Sequence, residues 1–251
     1  MVVPQEVRVL AKERLETRRE EPRLLSGMEP LDKAIGGFPE GSVIVVAGRP
    51  GSGHDIFAGQ ALYNAARSGR RVTYLTVDRP PEEVTGEMRS MNYDLDQLVV
   101  EQTWNFLNGF ETRLRVSSGE FGSKVLLDML RAVADSAKRG DWTCVDTLSR
   151  MTEFNGHKEI SSFLDDILLQ AREGRGLHFI VIVEDFHDSK TLAALAQASD
   201  GYIRFTLDPQ KAEPAGTIRI EKLRYANAVR RTLNYQISED GISIETATRI
   251  L

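Results

Sequence analysis

Residues 48–55, Gly-Arg-Pro-Gly-Ser-Gly-His-Asp, concentrate most of the chemistry that this chain displays. A short apolar run, Ser42-Val-Ile-Val-Val-Ala47, precedes them, and a helical pattern over about 55–68 follows. Glycines between a strand and a helix let backbone N–H groups converge, and the helix dipole favours an anion there. Gly48 and Gly53 keep the spacing of a nucleotide phosphate loop, in which glycine, four residues and a second glycine lead to lysine and a hydroxyl residue. Gly51 and Ser52 lie within that cradle, but His54 takes the lysine position and Asp55 the hydroxyl position. Lysine would place a permanent cation on the β and γ phosphates. Histidine is shorter and, with an ordinary pKa of about 6.5, mostly neutral near pH 7. Asp55 has an oxygen to offer a metal. Without one it sets a negative charge beside a polyanion, a repulsion on the order of 3–4 kcal/mol at roughly 4–6 Å and an effective dielectric of about 20. The expectation is a weakened phosphate site whose hydrolytic capacity is weaker still. A tight turn with no ligand would use the same glycines.

Other candidates stand at the ends of apolar runs. Arg71-Val-Thr-Tyr-Leu-Thr-Val77 delivers Asp78 and Arg79, and Trp142-Thr-Cys-Val145 delivers Asp146. His178-Phe-Ile-Val-Ile-Val183 delivers Glu184 and Asp185, which read as a solvated turn at the sheet edge where α/β proteins bind ligands. Lys222 and Arg224 alternate along a late strand and so share a face. His157, His178 and His187 lack the spacing of a zinc site. Cys144, the single cysteine, lies in an apolar stretch and reads as a small buried hydrophobe.

These groups need a scaffold of alternating strands and helices. Residues 5–20 predict a polar helix ended by Pro22, and Leu31, Ala34 and Ile35 predict a short helix stopped by Gly36-Gly37. Strands are predicted at 42–47, 71–77, 113–117, 142–145 and 178–183, with helices at about 55–68, from Pro80-Pro81, at 121–138 and at 158–173. That alternation implies crossover connections and a mainly parallel sheet with helices on both faces. Segments 201–207, 216–222, 231–237 and 241–245 predict antiparallel strands closing one edge. The domain division expected is a charged helix over 1–22 and a single domain over 23–251.

Composition narrows the function classes. The chain has 251 residues, 41% of them hydrophobic, and a net charge of −5, which argues against a basic nucleic-acid coat. No apolar run approaches the roughly 20 residues needed to span a bilayer, and the charged N-terminus lacks a signal-peptide pattern. A cytoplasmic location is expected.

Arg23-Leu-Leu-Ser-Gly27, Leu31-Asp32, Gly36-Gly-Phe-Pro-Glu-Gly41 and the 48–53 loop together resemble the opening of KaiC-like RecA-superfamily ATPases, the group of KaiC, FlaH, GvpD and the archaeal RecA paralogues. Tyr74-Leu-Thr-Val-Asp78 with Pro81-Glu-Glu83, Cys144-Val-Asp-Thr-Leu-Ser149, Ala198-Ser-Asp-Gly-Tyr202, Glu221-Lys-Leu-Arg224 and Gly241-Ile242 continue the resemblance in family order. It implies an α/β RecA-like P-loop NTPase fold, with nucleotide held at Gly48, Gly51, Ser52, Gly53, His54 and Asp55. It implies a Walker B role for Asp146, holding Mg²⁺ through water with Asp55 nearby; a turn cap is the alternative. Asp78 and Arg79 match positions where hydrolysing members generally carry paired glutamates. Arginine is no base, and aspartate is one methylene short, where a displacement of about 1 Å can cost on the order of a hundredfold in rate. Glu82 and Glu83 read as first-turn helix residues. Lys222 and Arg224 match a segment that reaches a neighbouring subunit's nucleotide, unless they merely charge an edge strand. The expected function is a catalytically impaired ATPase homologue, regulatory or assembling, binding ATP or ADP weakly with Mg²⁺, in a homo-oligomer or with an active relative. An active ATPase, and a DNA-binding paralogue that needs no nucleotide, are the alternatives.

Overall fold

The computed structural model describes residues 22–115, 120–152, 157–211, 213–225 and 231–245; the helix expected over 5–20 lies outside them. The centre is β3 (Ser42–Gly48), every residue of which is buried. It is flanked by β7 (Leu177–Val183) and β8 (Gly201–Leu207), both parallel to it. Continuous β-branched sequence suits a strand covered on both faces. Beyond β7 lie β6 (Trp142–Asp146), β4 (Val72–Thr76) and β5 (Trp104–Asn108), all parallel. Residues 201–207, expected among the antiparallel edge strands, instead run parallel to β3 as β8, and beyond it the sheet turns antiparallel through β9 (Ala215–Leu223), β10 (Arg231–Ser238) and β11 (Gly241–Glu245). These strands make one nine-stranded sheet, in the order β11-β10-β9-β8-β3-β7-β6-β4-β5, while β1 (Arg23–Leu24) and β2 (Phe38–Pro39) form a separate antiparallel pair.

Two apolar layers sandwich the sheet. On one face α1 (Glu29–Ile35), α2 (His54–Arg67) and α3 (Pro81–Ser90) bury Leu31, Phe57, Leu62, Val84 and Met88 against Ile44, Val46 and Phe179. On the other, α6 (Glu120–Lys138), α8 (His157–Gly174) and α9 (Ser189–Ala198) bury Leu126, Leu130, Ile167 and Leu195 against Val45, Val145 and Ile180. Short helices α4 (Asp96–Val100), α5 (Gly109–Arg115) and α7 (Leu148–Met151) fill the connections.

One predicted strand is misplaced. Residues 113–115 end α5, and the parallel strand that edges the sheet beside β4 is Trp104–Asn108 instead. Aromatic packing decides the register: Trp104 stacks on Tyr74 of β4 at 5.6 Å and Phe106 meets the same ring at 5.7 Å. Asn108 then starts α5, its Oδ1 accepting the Glu111 N–H at 3.1 Å. Helix α9 was not anticipated, although Asp188 caps it by accepting the Thr191 N–H at 2.7 Å.

Asp200, in the loop from α9 to β8, accepts from the Val43 N–H and from Arg172 Nη1, each at 2.9 Å, so it fixes the start of the central strand. Across β6 and β7, His178 Nδ1 lies 3.1 Å from Thr143 Oγ1, while its buried Nε2 has no hydrogen-bond partner among the described residues. Burial pushes the His178 pKa down to about 3, with Asp200 opposing and Arg172 adding to the shift. A histidine neutral in the fold and titrating near 6.5 when unfolded gives stability that is whole above pH 6.5 and is lost as pH falls toward 3. Between pH 6.5 and 4 the wild type is expected to lose up to about 3 kcal/mol more than His178→Gln. Urea unfolding across that range checks this, and parallel profiles would refute it.

Candidate nucleotide site

The loop between β3 and α2 adopts the conformation that its glycines allow. Gly51 and Gly53 have φ of +78° and +77°, and Gly53 caps α2. The far edge of the sheet holds this loop in place: Tyr235 of β10 donates its hydroxyl to Ser52 O at 2.6 Å. A Cβ on Gly53 would come within 2.7 Å of Ile237.

The inner side of the turn is filled by the chain's own side chains. Ser52 and His54 are buried, and Ser52 Oγ lies 3.1 Å from His54 Nδ1. A Cβ on Gly48 would meet Ser52 Oγ at 2.2 Å and His54 Cγ at 3.1 Å. The Ser52 N–H is already committed, donating to Arg49 O at 3.0 Å. Burial holds the His54 imidazole below its ordinary pKa, Asp55 opposing and Arg79 adding to the effect. The lysine position therefore carries a neutral ring.

The cation comes from elsewhere. Arg79 follows β4, where its carbonyl accepts the Thr76 hydroxyl at 2.5 Å. Its Nη2 donates to Asp55 Oδ2 at 2.9 Å and lies 3.6 Å from Asp146 Oδ2, and its Nη1 donates to Glu87 of α3. Asp146 Oδ2 also accepts the Tyr74 hydroxyl at 2.7 Å. Asp55 and Asp146, expected either to share a metal or to repel each other, are bridged by a guanidinium. Burial works against charge on Arg79, but Asp146, Tyr74, Asp55 and Glu87 hold its pKa above the ordinary arginine value. Burial raises Asp146 to about 6, with Arg79 and the Tyr74 hydrogen bond pulling down and Asp55 and Asp78 pushing up. Magnesium needs oxygens at about 2.0–2.1 Å in near-octahedral array. With the guanidinium between Asp55 and Asp146, the donor set does not fit magnesium. Among the described residues no group of three or more His, Cys, Asp or Glu side chains is arranged to hold a metal ion.

Asp78, the remaining candidate base, accepts from Arg150 Nε at 2.7 Å, and that guanidinium stacks over Phe186 at 5.1 Å. No proton-accepting carboxylate at 78 or 79 is left unengaged.

The family model for KaiC ATPases matches residues 24–249. The chain belongs to the KaiC family of ATPases. Among curated relatives, a UPF0273 protein of Aeropyrum pernix is 23% identical, covering 88% of this chain and 93% of its own length. The archaeal flagellar ATP-binding protein FlaH of Sulfolobus acidocaldarius is 21% identical, covering 72% of this chain and 78% of its own. Of solved structures, the flagellar accessory protein FlaH of Methanocaldococcus jannaschii superposes with a TM-score of 0.76 at 18% identity, over 91% of this chain and 100% of that one. A KaiC-like protein of Pyrococcus horikoshii gives 0.73 at 18% identity, over 89% and 99%. These likenesses show the RecA-like fold.

Within this KaiC-family chain the Lys222 and Arg224 pair is engaged internally. Lys222 Nζ donates to the carbonyls of Ala196 and Gln197, each at 2.8 Å, and of Ser199 at 2.5 Å, satisfying the C-terminal end of α9. Arg224 Nη2 donates to Glu40 O at 2.9 Å, and its Nε lies 3.5 Å from Asp200 Oδ1. Glu184, expected in a solvated turn, is partly buried and pairs with Arg204 at 2.8 Å, whereas exposed Asp185 pairs with Arg49 of the loop at 3.3 Å. Glu82 and Glu83 are exposed in the first turn of α3, as expected.

Tyr74, Glu87 and Arg150 escaped the sequence reading. Tyr74 stood in the Tyr74-Leu-Thr-Val-Asp78 motif, but its contact with Asp146 depends on the pairing of β4 with β6. Glu87 and Arg150 carried no signal beyond their charge. The α9 cap yields a test. Lys222→Met, which keeps the aliphatic stem, is expected to lose about 1–2 kcal/mol in urea unfolding while its sedimentation stays that of the wild type. Unchanged stability with altered assembly would mean that the ammonium works across a subunit boundary.

Proposed function

We propose that this chain is a catalytically impaired member of the KaiC family, with weak or no nucleotide binding, that serves as a regulatory or assembly subunit among copies of itself or with an active relative. The observation that carries the reading is Arg79 seated between Asp55 and Asp146, where a RecA-like site would put its metal. Three further features support it. The phosphate-lysine position is a buried neutral histidine, the loop interior is occupied by Ser52 and His54, and Asp78 is committed to Arg150. Phosphoryl transfer depends almost wholly on positioned cations and an oriented nucleophile, so these losses fall on one step together.

What favours residual binding is the backbone. Gly51 and Gly53 hold the positive φ of the turn, and a Cβ on Gly51 would meet nothing within 4 Å. The FlaH relative is named as ATP-binding, and a weakened version of that property is the form in which ATP or ADP would enter here. No helix among the described residues is long and apolar enough to cross a membrane, and a cytoplasmic subunit is the reading we adopt. The net charge of −5 gives the DNA-binding alternative no support.

Titration calorimetry with Mg-ATP is expected to show no binding tighter than about 100 μM, and phosphate release is expected to stay far below about 1 per second. Turnover near that rate overturns the reading. The combined variant His54→Lys, Asp55→Thr, Arg79→Glu is expected to bind Mg-ATP at least about tenfold tighter than the wild type. No gain would show that the loop backbone itself has lost the cradle.

A further inference from the structure

The carboxylates around Arg79 come from separate elements: Asp55 from the first turn of α2, Glu87 from α3 and Asp146 from the end of β6. The sheet order places β4 beside β6, and Arg79, which follows β4, is the group that all three acids meet. Hard oxygen donors in such a group call for a small divalent cation or for a fixed organic one. A guanidinium has a planar fork of donors able to serve several carboxylates at once, which an ammonium serves less well.

We propose that Arg79 is a tethered replacement for a divalent cation. It neutralises Asp55, Glu87 and Asp146, fills the space between them, and makes the docking of α2 and α3 on the ends of β4 and β6 independent of metal. This deepens the reading of an impaired site and rests on it, adding that the site excludes divalent ions and that its three acids, which as they stand form no metal-holding group, close on one once the guanidinium is removed. Arg79 is held for this purpose at both ends. Its carbonyl accepts from Thr76, while its two terminal nitrogens reach carboxylates on α2 and α3. The same acidic group is therefore bound by one cation or by the other, never by both.

The test uses Mn²⁺ alone, with no nucleotide in any arm. Thermal unfolding of the wild type is expected to give the same midpoint in chelator and in millimolar Mn²⁺. Arg79→Ala in chelator is expected to unfold about 10 °C lower, because buried Asp146 and the partly exposed Asp55 and Glu87 lose their partner, and Mn²⁺ is expected to restore at least half of that loss. Adding Asp146→Asn to Arg79→Ala is expected to abolish the restoration. A wild type stabilised by Mn²⁺, or an Arg79→Ala protein indifferent to it, overturns the proposal. Should Arg79→Ala be insoluble, Mn²⁺ titration of the wild type followed by electron paramagnetic resonance decides. Free Mn²⁺ throughout supports the proposal, and binding tighter than roughly 100 μM that Asp146→Asn removes refutes it. Tight Mg-ATP binding in the calorimeter would remove the reading of an impaired site and leave the metal arms to be judged on their own.

Discussion

Charge balance at the C-terminal ends of β4 and β6 constrains the rest of this site. A parallel sheet delivers the residues that follow each strand to one edge, so Asp78, Arg79 and Asp146 must arrive there together, facing the start of α2 and its Asp55. Asp146 is buried, and an acid out of water without a cation or a proton is costly; removing one partner of a buried pair typically costs about 3–5 kcal/mol. Arg79 provides the cation. The Tyr74 hydroxyl takes up one more lone pair of Asp146 at 2.7 Å. Burial, with Asp55 and Asp78 adding to it, still raises the Asp146 pKa to about 6 in spite of both partners.

The condition of the loop follows from the same balance. Asp55 turns its Oδ2 toward Arg79, with its Oδ1 still 3.9 Å from the imidazole. A histidine buried beside a guanidinium has little reason to protonate, and His54 packs as a neutral ring against Ser52 on the inside of the turn. Tyr235 and Ile237 then close over the loop from β10. The glycines give the backbone the shape of a phosphate cradle, and Ser52 and His54 are buried against each other beside Gly48. Geometry has persisted where the electrostatics have changed.

The parts of this arrangement that depend on local pattern were legible in the sequence. The apolar run 42–47, the glycine spacing, the helix after it and the four late strands all express one residue's neighbours along the chain, and the structure has them within a residue or two. What depended on partners distant in sequence was not legible. Arg113-Leu-Arg-Val alternates like a strand, but Trp104 and Phe106 take the edge because Tyr74 offers them a ring face. Lys222 and Arg224 read as exposed charge on one strand face, whereas the carbonyls at the end of α9 and of Glu40 await them across the fold. Arg79 could be read from sequence only as the loss of a base. Its gain, a cation for three acids, needed their positions in space.

Coupling among these residues also determines how the site responds to substitution. Taken singly, each departure from the phosphate-loop pattern is a liability: Asp55 repels phosphate, Arg79 cannot activate water, and His54 lacks charge. Taken together, two of them cancel, since Arg79 neutralises Asp55 at 2.9 Å. Reverting Arg79 alone would leave Asp55, Glu87 and Asp146 facing one another uncompensated. Reverting Asp55 alone would leave the guanidinium where a metal should sit. Residues sharing one ion-pair network are expected to be strongly non-additive. Arg79, Asp55, Glu87 and Asp146 therefore balance one another as a set, and a change at any one of them is felt by the rest.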